Sequence, residues 1–297
     1  MPIINNDHGG SQFEVLTVIH NVLKGNKGNP MEQNELIAWC RPDALLAEGK
    51  TSARSKLGKE LSAWTELGLL ETVGGGFRLR PCYFTDPQQQ LSTGARRCLL
   101  AAENNKDLSS RDQRAVDLTV LLCMLLALDV YRYPAVQSNN LANIVDRYLT
   151  DFRINTNETP IVPSYAHWLG FMTRTGNGVY CIDPTSAIKE EISAHPSKFK
   201  PGEQLPIGNF VQQLATLLPV LDGGNYRKQV EQRIEGPSWS QPKETDLSTS
   251  LSRALLRLHH SGQLQLQKLS DAGLRNLIGP NREVLMAVTH VTVRGEQ

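Results

Sequence analysis

Residues 67–77 read LGLLETVGGGF, and residues 169–179 read LGFMTRTGNGV. The two stretches align without a gap. Each begins with a leucine and a glycine and continues into two short segments separated by glycines. Glycine often ends a helix because it readily adopts a left-handed backbone conformation, and two short strands around glycines are typical of a β-hairpin. The repeat therefore predicts two copies of a helix that ends at a glycine and continues into a hairpin.

Apolar residues at helical spacing predict three helices before the first hairpin. The first carries Phe13, Leu16, Ile19, Val22 and Leu23, the second covers residues 32–39, and the third begins at the capping residues Thr51 and Ser52 and stops at Gly68. In the third helix, Leu57, Leu61 and Trp64 lie on one face. Three helices followed by a β-hairpin is the element order of a winged helix. We therefore predict a winged-helix unit over residues 11–85, after a loose N-terminal tail over residues 1–10.

A second, central unit is predicted over residues 94–185, which end in the repeated hairpin. Its most apolar stretch runs from Val116 to Val130. This stretch is shorter than a membrane span, and Asp117 and Asp129 interrupt it, so it predicts a buried core helix.

A third unit is predicted over residues 207–297. Leu251, Leu255 and Leu258 repeat the spacing of the apolar face in the first unit, and Gly262 follows as the glycine that ends the helix. Two strands, over residues 264–268 and 284–293, are expected to form a long hairpin.

The remaining segments are polar and contain prolines, which predicts a linker over residues 186–206 and a loop over residues 237–244. The fold class is therefore mainly α with small β-hairpins, an α+β protein built from tandem winged-helix-like units.

The composition limits the class of function. Of the 297 residues, 40% are hydrophobic and 21% are charged, which is typical of a globular protein with a buried core. The formal net charge is +1, so any DNA contact must come from a local patch. The five cysteines form no CxxC pair, and no secretory signal begins the chain, so we expect free thiols and a cytoplasmic protein. The spacing of the histidines predicts no metal site, and no cofactor is expected.

The predicted DNA contacts lie on the third helix of the first and third winged units and around the hairpin of the first. A recognition helix enters the major groove, while basic and hydroxyl side chains contact phosphates. In the first unit these residues are Lys50, Ser52, Arg54, Ser55, Lys56, Lys59, Arg78 and Arg80. In the third unit they are Thr249, Arg253 and Arg257. Leu256 lies on the same side, which also suits a protein partner, and ordinary solvated lysines remain an alternative for the first unit.

Two enzyme motifs overlap near the start of the third helix. Residues 44–51 fit a relaxed phosphate-loop pattern, but the segment before them is helical and Ala44 replaces the first glycine. Asp43, Glu48 and Lys50 resemble the two acidic residues and the lysine of restriction nucleases, which hold Mg²⁺ and stabilise the attacking water. Their spacing is too short for the two strands that such a site requires. We therefore expect no catalytic residues, and a nuclease or nucleotide hydrolase stays as the weaker alternative.

The opening Met1-Pro2-Ile3-Ile4-Asn5-Asn6, the winged first unit and the overall length resemble the DpdG family. This resemblance implies an accessory protein of bacterial gene clusters that insert 7-deazaguanine bases into DNA and restrict unmodified DNA. It implies DNA and the other subunits of a defence complex as partners, without a membrane. The resulting hypothesis is a non-catalytic DNA-binding and assembly subunit. A protein scaffold and a stand-alone transcription regulator remain alternatives, and the oligomeric state stays open.

Overall fold

A short strand joins the first two helices of the N-terminal region in the computed structural model of the chain. The structure describes residues 2–4, 13–41, 52–84, 90–111, 113–236, 239–269 and 273–295, with the side chains of α3 described from residue 56 onward. The elements in this region are α1 Phe13–Gly25, β1 Met31–Glu32, α2 Gln33–Cys40, α3 Ser52–Leu67, β2 Leu70–Val73 and β3 Gly76–Leu79.

The three strands of this region form an antiparallel sheet in the order β1-β3-β2. Met31 pairs with Phe77, and β1 leads without a gap into α2. Gly76 lies where this pairing is tightest, because a Cβ atom there would approach the backbone nitrogen of Met31 to 3.0 Å. The close approach of β1 to the hairpin therefore depends on a glycine at position 76.

Asn104 follows α4 Leu91–Leu99 and links it to α3 by hydrogen bonds. Its buried amide donates to the carbonyl oxygens of Leu67 and Cys98, at 2.8 Å each. Its side-chain oxygen accepts from Arg114 at 2.9 Å. These bonds satisfy the last carbonyls of two helices, which have no partner inside the helices themselves.

The expectation of a loose tail over residues 1–10 was wrong at Ile3 and Ile4. Both side chains are buried, and the backbone N–H of Ile4 donates to the Asp117 carboxylate at 2.6 Å. Ile3 donates to the other oxygen of the same carboxylate at 3.3 Å. Asp117 therefore holds an extended segment in place as well as interrupting an apolar helix. Residues 5–10 of the predicted tail lie outside the described residues.

The chain divides into two units, Met1–Asp117 and Leu118–Gln297. Helix α5, Val116–Ala127, begins two residues before this boundary. The second unit then contains further helices and small antiparallel sheets. Its further helices are α6 Ser138–Tyr148, α7 Ile161–Trp168, α8 Thr185–Ala194, α9 Ile207–Leu217, α10 Asn225–Glu231 and α11 Thr249–His260. Its strands are β4 Met172–Gly176, β5 Val179–Ile182, β6 Gln204–Pro206, β7 Leu264–Gln267, β8 Arg275–Ile278, β9 Val284–Val288 and β10 His290–Val293.

The strand order of the first sheet recurs twice in the second unit. Val136, just before α6, pairs with Tyr180 of β5, so β5 lies between Val136 and β4. In the third case, β10 lies between β6 and β7. In the first and third cases a short strand before a helix pairs with the last strand of the sheet, and in the central case the single bridging residue Val136 takes the place of that strand. We call these repeats the N-terminal copy (13–79), the central copy (116–182) and the C-terminal copy (185–293).

The expected linker over residues 186–206 is instead part of the C-terminal copy. It contains most of α8, which buries Ala187, Ile188 and Ile192, and all of β6. These three apolar residues follow helical spacing, but the polar residues and prolines around them concealed it. The C-terminal copy therefore begins with α8, and α9 is its second helix.

The long hairpin expected in the C-terminal copy is also divided. Strand β7 pairs with β10, while β8 and β9 pair with each other between them. Thr289 separates β9 from β10, and its hydroxyl accepts a hydrogen bond from the N–H of Leu269 at 2.9 Å. The apolar run that was interpreted as one strand therefore contributes to two sheets.

The predicted core positions are confirmed. All six side chains of the two repeated apolar faces are buried: Leu57, Leu61, Trp64, Leu251, Leu255 and Leu258. The three glycines that follow the third helices, Gly68, Gly170 and Gly262, have φ values of +87°, +82° and +76°. Their left-handed conformation ends each helix and turns the chain into its hairpin. The coarse fold class, helices with small antiparallel sheets, is likewise confirmed.

Candidate nucleic-acid interface

Helix α3 of the N-terminal copy exposes Lys56 and Lys59, which lie outside the buried stripe of Leu57, Leu61 and Trp64. The burial of Leu61 and Trp64 fixes the rotation of the helix about its axis. Lys56 and Lys59 are three residues apart, so they are neighbours on the surface of the helix. Together they give this face two positive charges without an acidic residue between them in the sequence.

Four predicted contacts of this copy lie partly or wholly outside the described residues. Ser52, Arg54 and Ser55 belong to the first turn of α3, but their side chains lie outside the described part of the structure. Lys50 precedes the helix and lies in residues 42–51, which are outside it as well. Both enzyme motifs, with Asp43 and Glu48, fall in the same range.

Arg78 and Arg80 lie next to an acidic residue of the neighbouring strand. Arg78 Nε is 2.6 Å from one carboxylate oxygen of Glu71, and Arg80 Nε is 3.8 Å from the other. The guanidinium of Arg80 also reaches the end of α3, because a Cβ atom on Gly68 would be 3.0 Å from its Nη1. Glu71 thus offsets part of the positive charge that the sequence assigned to this hairpin. The two arginines and Glu71 together retain one net positive charge.

The predicted contacts of the C-terminal copy are used within the second unit. Thr249 is buried, and its hydroxyl accepts from the N–H of Val130 at 3.0 Å. Arg253 donates to the carbonyl oxygen of Ile182. Arg257 forms an ion pair with the buried Asp183, although half of its side chain remains exposed. The expected solvent-facing surface of α11 is therefore largely an internal contact with the central copy.

The identity of this contact was hard to predict, because the partners of α11 are distant in the chain. Thr249, Arg253 and Arg257 have the spacing of a solvent face, but the central copy covers that face. The signals that were available are Leu256 and Ser250, an apolar residue and a small one on the same side. Ser250 is completely buried.

Two clefts of the second unit are large enough to hold a ligand. One, of about 1190 Å³, is lined mainly by the C-terminal copy, and polar residues such as Lys189, His259 and Arg294 contribute to its lining. The smaller, about 410 Å³, is lined by aromatic and basic side chains from the central and C-terminal copies. Sequence reasoning missed the smaller cleft because part of its wall comes from residues 239–243, in a segment interpreted as a loop.

The part of the chain that the structure describes has no group of three or more histidine, cysteine, aspartate or glutamate side chains that could hold an ion. None of its helices is long and apolar enough to cross a membrane.

We compared the sequence with models of known protein families. The sequence model of the DpdG-like family matches residues 1–272 of the 297. The chain belongs to the DpdG-like family. The match includes the whole N-terminal and central copies of this DpdG-like protein. In the C-terminal copy it ends shortly after β7. No curated protein and no solved structure matches the chain significantly.

Proposed function

We propose that this DpdG-like chain is a DNA-binding and assembly subunit of a Dpd-type DNA modification and restriction system. Membership of the family supports the association with that system. The observation that carries the DNA-binding part is the exposed pair Lys56 and Lys59 on α3 of the N-terminal copy. We further propose that the three copies are winged-helix units, with α3 as the recognition helix of the first.

The support for a winged helix is the topology of the N-terminal copy. Its third helix precedes a two-stranded hairpin, and the short first strand pairs with the far strand of that hairpin. A buried face holds α3 on the core, so its opposite face is available for the major groove. Phosphate contacts from lysine side chains give affinity that falls as the salt concentration rises.

The test is a duplex-DNA titration of the full chain at several salt concentrations. We expect the double variant Lys56→Glu, Lys59→Glu to bind more weakly, with a slope of log K against log salt that is smaller by about two units, one for each lost phosphate contact. The matched control is Lys24→Glu, Lys106→Glu, which makes the same charge change at two exposed lysines of the same unit outside α3. Equal affinity and equal slope for the α3 variant and the control would refute the proposed interface.

A protein-scaffold role is the second candidate, and the packing of α11 favours it. The third helix of the C-terminal copy uses Ser250, Arg253 and Arg257 for contacts with protein groups rather than leaving that face to solvent. The same kind of helix therefore already serves protein packing in this chain. If the wild-type chain fails to bind DNA but co-purifies with the other subunits of the system, the scaffold role replaces the first proposal.

We also propose that the chain has no catalytic site of its own. The support is the sequence context of Asp43, Glu48 and Lys50, because the preceding residues through Cys40 are helical. A phosphate loop or a two-strand nuclease core would need a strand there. Purified wild-type protein and the Asp43→Ala, Glu48→Ala variant should both fail to cleave DNA or hydrolyse ATP with Mg²⁺ or Mn²⁺. Activity that the variant loses would make the chain an enzyme.

A further inference from the structure

The smaller cleft of the second unit combines aromatic walls with positive charge. Tyr133, Tyr148 and Trp239 line it together with Arg132, Lys243 and Arg282. Its volume of about 410 Å³ lies within the range of small-molecule sites in proteins. This composition is unlike that of a cleft left between imperfectly packed apolar elements.

The two tyrosines are fixed in orientation. Their hydroxyl oxygens are 2.7 Å apart, and their rings meet edge to face with centroids 5.8 Å apart. Arg147 donates to the Tyr133 hydroxyl at 3.5 Å. Trp239 is half-buried, and its backbone N–H donates to the carbonyl of Gly236 at 3.1 Å. Tyr148 is 2% exposed and orients Tyr133, so the aromatic surface open to a planar ring comes from Tyr133 and Trp239.

The three cations of the cleft have no ion pair with any side chain that the structure describes. Two carboxylates also line the cleft. Asp246 accepts from the side-chain amide of Asn276 at 2.8 Å, and Asp129 accepts from the N–H of Tyr131 at 3.0 Å. The three cations and the two carboxylates leave one net positive charge, which an anionic group from outside can balance.

Arg282 occupies its place in a disfavoured backbone conformation. It has φ +61°, and Asn281 before it has φ +53°, whereas side chains other than glycine and asparagine rarely adopt this region. The turn is closed by two hydrogen bonds: Gly279 N–H donates to the carbonyl of Glu283 at 2.8 Å, and Glu283 N–H donates to that of Pro280 at 3.1 Å. The turn thereby holds the cationic side chain of Arg282 at the cleft, although glycine would fit this backbone conformation better.

We propose that this cleft binds a single nucleotide, with its base stacked on the aromatic side chains and its phosphate held by Arg132, Lys243 and Arg282. Every base presents a flat π-surface, and arginine and lysine are the usual phosphate ligands, so one nucleotide satisfies both features of the cleft. The nucleotide is either free or one unit of a single strand. This site lies in the second unit and is separate from the duplex contact proposed on α3.

The test uses the full chain and follows tryptophan fluorescence during titration with two probes, free deoxythymidine monophosphate and a short oligo-deoxythymidine strand. We expect quenching that Trp239→Phe abolishes and that Trp39→Phe, at an exposed tryptophan outside the cleft, leaves in place. Arg132→Gln, Lys243→Gln should weaken binding by about tenfold or more, because charge-assisted bonds to phosphate are lost. Lys228→Gln, at an exposed lysine outside the cleft, should bind as the wild type does.

A second variant guards against loss of the fold. Arg282→Gly removes the cation and also relieves the left-handed strain, so it should bind the probe more weakly while melting no lower than the wild type.

Binding of the free nucleotide identifies a free ligand, and binding of the strand alone identifies a nucleotide presented by single-stranded DNA. The proposal is overturned if neither probe quenches Trp239, or if the cation variants bind as tightly as the wild type. Lys56→Glu, Lys59→Glu should leave these titrations unchanged, so failure of the duplex interface is distinguishable from failure of this site.

Discussion

The hydroxyl of Ser250 on α11 donates a hydrogen bond of 2.6 Å to the carbonyl oxygen of Leu126 near the end of α5. Both residues are buried. Carbonyls in the last turn of a helix have no partner within the helix, so a side chain from another element can satisfy them. The bond therefore joins the central copy to the C-terminal copy through a carbonyl that would otherwise be unsatisfied.

Replacement of Ser250 by alanine should destabilise the second unit. The carbonyl of Leu126 would lose its partner while remaining buried, which costs about 1–3 kcal/mol. Urea unfolding followed by circular dichroism measures the change in the free energy of unfolding. Ser186→Ala, at an exposed serine of α8, is the control and should change this free energy little. Equal stability of the two variants would mean that the bond contributes nothing.

Truncation of Trp64 or Leu258 to alanine should destabilise the copy that contains it. Each occupies the same position on the buried face of a third helix, and such truncations cost about 2–5 kcal/mol through lost apolar contacts and an unfilled cavity. Thermal melts of the two variants check this expectation. Leu256→Ala removes a half-exposed leucine from the same helix as Leu258 and should cost less. Unchanged melts for both core variants would contradict the equivalence of the two helices.

Replacement of Asp117 by alanine should release the segment that contains Ile3 and Ile4. The carboxylate accepts two buried backbone N–H groups, and leaving these groups unpaired costs about 1–3 kcal/mol. Hydrogen exchange at the amides of Ile3 and Ile4 should speed up in the variant. Asp146→Asn, at an exposed position of α6, should leave these amides as protected as in the wild type. Slow exchange in Asp117→Ala would show that the segment is held by its side chains alone.

The cysteines should differ in reactivity, although all five are free. Burial raises the pKa of the Cys98 thiol to about 12, and burial likewise raises the pKa of Cys123. A raised pKa keeps the thiol protonated, so at pH 8 neither residue supplies the reactive thiolate. Cys82 is exposed. Alkylation of the native protein at pH 8, mapped by mass spectrometry, should modify Cys82 and spare Cys98 and Cys123 until denaturant is added. Early modification of Cys98 would contradict its place in the core.

Much of the fold could be predicted from local patterns. Leu57, Leu61 and Trp64 follow helical spacing, and Gly68, Gly170 and Gly262 are placed where a left-handed residue must end a helix. Such signals lie within a few residues of one another. The pairing of Val136 with Tyr180 carries no comparable local signal, because a single bridging residue has no periodicity. The short first strands β1 and β6 and the bridging residue Val136 were therefore missed.

The candidate sites were harder to predict because they depend on which faces meet. Arg253 and Arg257 have the spacing of an exposed basic face, and only the distant residues Ile182 and Asp183 show that this face is covered. Arg78 was expected to serve a phosphate, but its nearest acidic partner, Glu71, comes from the paired strand. The register of β2 and β3 decides this contact. Strand register within the hairpin and packing between distant segments thus determined which predicted charges remain exposed.

The last strand is central in the three-stranded sheets of the N-terminal and C-terminal copies, which has a consequence for the order of folding. The first strand of a copy has no partner until the last strand has been synthesised, because those two strands pair with each other. Pro206 and His290 are almost twice as far apart in the chain as Met31 and Phe77. Since distant pairings slow folding, the C-terminal copy should close more slowly than the N-terminal one. On the ribosome it would also close last, with β6 and β7 awaiting the strand that joins them.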